Sequence, residues 1–171
     1  PVSVNLASPS FSSDALPAQL TDMVQRHGLT PAALVLEVTE SILMADIDRV
    51  VVRLEGLRAL GFSVSLDDFG TGYSSLSYLK RFPIDELKID RTFVTDAWRG
   101  GRDGAIAASI IALGREFGLR VVAEGVETPE QAQNMVKMGC VYQQGFLFSR
   151  PVPADEFARL LDKPSLRDDD A

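Results

Sequence analysis

The chain has 171 residues, 46% apolar and 24% charged, which suits one globular domain with a sizeable core. A net charge of −7 and the lack of any basic run argue against a reader of DNA or RNA phosphate backbones. Cys140 is the single cysteine, which excludes an internal disulfide framework and a thiolate metal cluster, and no apolar run reaches the ~20 residues of a membrane span. A cytoplasmic location is expected, with any membrane anchoring supplied by other domains.

In chain order, short apolar runs alternate with amphipathic stretches of helical length. "VSVNL" reads as the first strand. Leu16, Leu20, Met23 and Val24 then recur at helical spacing before a Gly28 stop, with His27 as a partner for the helix C-terminus. "ALVLEVT" is the second strand, followed by Ile47, Val50, Val51, Leu54 and Leu57 before Gly61. "FSVSLD" and "ELKID" flank the glycine- and hydroxyl-rich loop that opens "DDFGTGYSSL". Trp98, in "DAWRGGRDG", reads equally as a core residue or an interface anchor.

A third helix is expected from Ile106, Ile110, Leu113 and Phe117 before Gly118, and then the strand "RVVAEG". "TPEQAQNMVKMG" carries the clearest punctuation: Thr128 as N-cap, Pro129 at the first helical position, Gln131 completing a capping box, and Gly139 as the left-handed stop. "VYQQG" is the sixth strand, and the acidic tail over 163–171 is expected to be disordered. Strand–helix alternation with Val/Ile/Leu-rich strands predicts an α/β fold with a parallel sheet buried on both faces.

Each strand closes on a polar group: Asn5, Glu37, Asp67 with Asp68, Lys88, Glu124 and Gln144. In a parallel barrel all strand C-termini meet at one rim, where catalytic groups gather. Asn5, Glu37, Asp67, Asp68 and Glu124 form an all-oxygen set suited to magnesium or manganese. Two ions sharing Asp67 would make adjacent carboxylates tolerable and would suit in-line displacement at a phosphate. Lys88 would orient the attacking water or stabilise phosphate charge.

Plainer readings exist for each part. An isolated Asp67–Asp68 pair is more often a turn or an N-cap, Lys88 alone could be a snorkelling surface residue, and Cys140 reads as buried and inert. "DFG" lacks the companion motifs of a kinase, and "GTG" is too short for a nucleotide fingerprint. The joint pattern along six strands favours a site.

"VNLA", "LEVTES", "DDFGTGYSSLSYLKRFPIDELKID", "AEGVET" and "QGFLFSRP" together resemble the EAL-domain family of bacterial cyclic-di-GMP phosphodiesterases, from Val4 to about Leu161. The resemblance implies a modified (β/α)₈ TIM-type barrel with one antiparallel strand, present here as an incomplete barrel of about six βα units. It implies metal-dependent hydrolysis of cyclic di-GMP to linear pGpG, with two divalent cations, Mg²⁺ or Mn²⁺. Asn5, Glu37 and Asp67 would hold one ion, Asp67 would bridge to the second, and Asp68 and Glu124 would lie there too. Lys88 would contact the attacking water, and Glu127 and Gln144 match further active-site positions. Glu40 would hold the "DDFGTGYSS" loop, which in this family links the metal site to a dimer interface.

Two departures from the family pattern stand out. Val141 replaces an acidic residue common after the cysteine, and the Glu-Ala-Leu motif that names the family should lie on a strand upstream of Asn5. Residues 1–162 are therefore expected to be the C-terminal two-thirds of such a domain, weak or inactive alone. An unclosed barrel would expose two strand edges, so a homodimer or strand-exchanged oligomer is expected, the seam being closed by a second molecule or by rearranged elements. The alternative for the parent protein is a receptor that binds cyclic di-GMP without cutting it.

Overall fold

The computed structural model describes residues 1–70, 79–97 and 101–161. Trp98, most of the glycine-rich loop and the acidic tail lie outside these residues. Six strands, β1 (Val2–Asn5), β2 (Leu34–Thr39), β3 (Ser63–Phe69), β4 (Glu86–Ile89), β5 (Arg120–Ala123) and β6 (Tyr142–Gln143), form one sheet in sequential order. Every pairing is parallel, so all six C-termini share one edge. The helices are α1 (Ser8–Ser12), α2 (Leu16–Arg26), α3 (Glu40–Ala45), α4 (Ile47–Ala59), α5 (Arg91–Thr95), α6 (Gly101–Glu116), α7 (Pro129–Lys137) and α8 (Ala154–Leu161). None of the described helices is long and apolar enough to cross a membrane.

All six expected strands are present, and so are the four helices with clear periodicity. Gly28, Gly61, Gly118 and Gly139 all take positive φ at the expected stops. α7 carries the full capping box between Thr128 and Gln131. Sequence reading missed α1, α3, α5 and α8. Each has five to eight residues, too few turns for an apolar stripe to repeat.

The strands are Val/Ile/Leu-rich, as the sequence indicates, but alternate in polarity rather than running unbroken, and the register lines the alternation up across the sheet. Leu36 pairs with Val64, Val38 with Leu66, and Leu87 with Val121, so one face is apolar and buried in the main core. The other face brings Asn5 beside Glu37, Glu37 beside Ser65, and Ser65 beside Glu86. This second face is polar, yet Glu37, Ser65, Glu86 and Lys88 are buried on it. That is what the inward face of a barrel requires, since its side chains must fill the interior.

The opposite end of the sheet is clamped by Asp85. Its carboxylate accepts from the Val64 N–H at 2.9 Å and from Arg58 Nη2 at 2.7 Å, while its backbone bonds Val64 and Arg120. This clip ties the starts of β3, β4 and β5 and the end of α4. α6 then lies close on β5: a Cβ added at Gly114 would come 2.2 Å from Val121 Cγ2. The strand ends that carry the polar residues thus project from a rigid base.

Candidate active site

Lys88 sits at the centre of the rim. Its Nζ lies 2.7 Å from Glu37 Oε1, 2.6 Å from Glu124 Oε1 and 3.5 Å from Asp67 Oδ1. These contacts draw β2, β3 and β5 onto the side chain of β4. Lys88 is only 4% exposed, which excludes a snorkelling surface residue.

β3 gains its two adjacent carboxylates through a local irregularity. Leu66 pairs with Leu87 and Phe69 with Ile89, so Asp67 and Asp68 together face the single residue Lys88. This is the count of a β-bulge, which re-aims side chains that a regular strand would send to opposite faces. Asp68 takes φ 55°, left-handed backbone that Asp tolerates better than most residues. Its N–H donates to Asp67 Oδ1 at 3.0 Å. Asp67, Asp68 and Glu124 consequently offer carboxylate oxygens within 4.8 Å of one another.

Burial alone would lower the Lys88 pKa, but hydrogen bonds to Glu124 and Glu37 and the charge of Asp67 outweigh it and push it up. Burial raises the Asp68 carboxyl, and the neighbouring charges of Asp67 and Asp90 raise it further. Glu124 is also raised, chiefly by burial, against the pull of Lys88. Asp68 and Glu124 thus hold protons more tightly than free carboxyls because burial and the neighbouring carboxylates outweigh the attraction of the Lys88 ammonium. Asp90, which caps α5 by accepting from the Thr92 N–H, belongs to this field although sequence reading passed over it. Its signal was the "KID" spacing, two residues after Lys88.

A backbone clasp positions the remaining rim. Val126 donates to Gln144 O at 3.1 Å, the Gln144 N–H donates to Ala123 O at 2.8 Å, and Leu147 N–H returns to Val126 O at 3.0 Å. A Cβ at Gly145 would fall 2.1 Å from Val126 O, so only glycine permits this approach. Glu127, in the loop between β5 and α7, and Gln144, directly after β6, are exposed, with no side-chain bond to the Lys88 cluster among the described residues. Asn5 is exposed beside Glu37 in the register.

Glu40 begins α3 directly after β2 and is 7% exposed. Both its carboxylate oxygens lack a hydrogen-bond partner among the described residues. The loop expected to receive it, residues 71–75, lies outside those residues. Cys140 is buried, and burial pushes its thiol up to about 11, which makes it a poor nucleophile.

A parallel βα arc with acidic groups and one lysine at its C-terminal rim defines a TIM-barrel-like α/β domain with a hard-cation type of donor set. The chain matches the EAL domain family over residues 1–151, and it belongs to that family. It is 48% identical over 155 residues to the bifunctional diguanylate cyclase/cyclic di-GMP phosphodiesterase MucR of Pseudomonas aeruginosa, covering 91% of this chain and 23% of that protein. It is 47% identical over 161 residues to the cyclic di-GMP phosphodiesterase NbdA of the same organism, covering 92% and 21%. The chain therefore spans about a fifth of the length of these curated relatives.

Solved structures agree on the fold. The PaMucR phosphodiesterase in complex with c-di-GMP superposes with TM-score 0.86 at 48% identity, covering 91% of this chain and 63% of that one. Klebsiella pneumoniae BlrP1 with manganese and cyclic di-GMP gives 0.81 at 38% identity, covering 87% and 38%.

Proposed function

We propose that the protein hydrolyses one phosphodiester bond of cyclic di-GMP to give linear pGpG, with divalent metal ions as cofactors. One observation carries this reading: a buried lysine at the barrel rim contacts three carboxylates, with a fourth oxygen donor, Asp68, beside them. The residues fit the metal, because oxygen donors within one ion's reach are what Mg²⁺ or Mn²⁺ requires. Asp67, Asp68, Glu124 and Glu37, with Asn5 next to Glu37, would hold two such ions. Bound there, the ions would supply positive charge to the phosphate and acidify a coordinated water.

The chain's own groups supply the rest. Glu37 and Glu124 fix the Lys88 ammonium, which stabilises negative charge on the phosphate and orients the attacking water. Water adds to phosphorus as one P–O bond opens, and the released oxygen takes a proton. Glu127 and Gln144, exposed beyond β5 and β6, would complete the catalytic set. Glu40 holds the loop that follows Asp68. The acidic surface needs the ions to attract an anionic substrate, as the net charge of −7 otherwise repels it. The reading includes a cytoplasmic homodimer or strand-exchanged oligomer.

The test is pGpG release from cyclic di-GMP by the intact protein, with Mg²⁺ or Mn²⁺ and with chelator. Metal-dependent release supports the reading, and loss of release in Glu37→Gln or Asp67→Asn supports the residue roles. Tight binding of cyclic di-GMP without release in either metal would overturn hydrolysis in favour of a receptor.

A further inference from the structure

We infer that Gln131 is a positioning residue that locks the loop bearing Glu124 and Glu127 to the β4–α5 unit bearing Lys88. The inference rests on the proposed roles of those three residues. Gln131 is 6% exposed and stands in the first turn of α7. Its Oε1 accepts from the Thr128 N–H at 3.1 Å, closing the capping box, and from the Glu127 N–H at 2.7 Å. The second bond is the shorter, and it falls on the residue before the cap. The other end of the amide leaves the helix: Nε2 donates to Thr95 O, 3.3 Å away at the end of α5.

A capping box needs only the acceptor oxygen, so glutamate would serve the helix as well as glutamine. The donor is what a carboxylate cannot offer. An independent feature presses the same two segments together. Gly125, with φ 65°, approaches α5 so closely that a Cβ would lie 2.4 Å from Arg91 Cβ. The loop is therefore pinned to the first residue of α5 by Gly125 and to its last by Gln131. Glu124, whose Oε1 is 2.6 Å from Lys88 Nζ, directly precedes the first pin, and Glu127 lies between the two. Because α5 follows β4 after the single residue Asp90, the amide sets the loop against the strand that presents the lysine.

Two variants of the intact protein separate positioning from capping. Gln131→Glu keeps both acceptor contacts and removes the donor, setting a carboxylate oxygen against Thr95 O. Thr128→Ala removes the other half of the capping box and leaves the Thr95 tie in place. Gln131→Glu is expected to lower kcat on cyclic di-GMP about tenfold with KM nearly unchanged, and to weaken Mn²⁺ binding by calorimetry about tenfold. Thr128→Ala is expected to lower the melting temperature while keeping kcat and Mn²⁺ affinity within about twofold of wild type. Equal effects of the two variants on kcat and Mn²⁺ affinity would reduce Gln131 to a helix cap and overturn the inference. If the wild type releases no pGpG, the phosphodiesterase reading fails separately. The Mn²⁺ affinities then decide the inference, and an unchanged value in Gln131→Glu overturns it.

Discussion

Lys88 is one ammonium set against three carboxylates, all on residues that are buried or half-buried. Its value lies in what its loss would strand. Lys88→Met would leave Glu37, 4% exposed, with no cation beside it among the described residues, and removing one partner of a buried ion pair costs about 3–5 kcal/mol. Urea unfolding without metal is expected to show a loss of that order. Millimolar Mg²⁺ should restore more stability to the variant than to wild type, because the ion then meets the acidic groups without a competing ammonium. A variant as stable as wild type without metal would mean that the cluster is not electrostatically coupled.

Cys140 makes a pH-dependent case. Its thiol rises from 9.0 to about 11 through burial, and its Sγ contacts Val121 O and Tyr142 O. A raised pKa means the neutral form is favoured by folding. That stability is complete below pH 9 and is lost as pH rises from 9 through 11, up to about 3 kcal/mol. The stability advantage of wild type over Cys140→Ala should therefore shrink across that interval and stay flat between pH 7 and 8. A flat difference up to pH 11 would contradict the burial argument.

Elements were legible where the chemistry repeats or where a cap marks the boundary. α2 and α4 show apolar spacing, and α7 shows Thr128, Pro129 and Gln131 in order. The bulge at Asp67–Asp68 was not legible, because it depends on which residue of β4 sits opposite, and register is a property of two strands. The Gly125 and Gly145 contacts were hidden for the same reason: their neighbours, Arg91 and Val126, are set by packing between loops. These glycines give an element-scale prediction. Gly145→Ala would drive a methyl into the Val126 backbone, which two hydrogen bonds hold still, and should destabilise by about 1–3 kcal/mol while abolishing most pGpG release. Gly28→Ala, with open space around it and φ 65°, should cost only about 1–2 kcal/mol and leave turnover intact. Thermal unfolding and pGpG release on both variants check the contrast, and a Gly145→Ala variant with the stability and pGpG release of wild type would refute the clasp.

At the scale of the whole molecule, the strand-end series Asn5, Glu37, Asp67, Lys88, Glu124 and Gln144 was readable from sequence because parallel strands share one rim. The tight grouping around Lys88 was not, since it depends on how far the sheet curls. Among the described residues that same sheet ends on β1 and β6. β1 is exposed along all four residues, with Val2 57% and Val4 38% accessible, and beside β6 stand the exposed Val141, Tyr142, Phe146 and Phe148. Unpaired strand edges with apolar side chains template association with another chain. The net charge of −7 opposes it, but over a range cut to ~8 Å at physiological ionic strength, whereas edge hydrogen bonding and apolar burial act at contact. Contact forces should win once salt screens the repulsion. A polypeptide of these 171 residues is therefore expected to self-associate between about 1 and 100 µM, more strongly at high salt, with Val2→Lys weakening it. Sedimentation velocity across that range decides: a monomer at every concentration and salt level would show that neither edge is sticky.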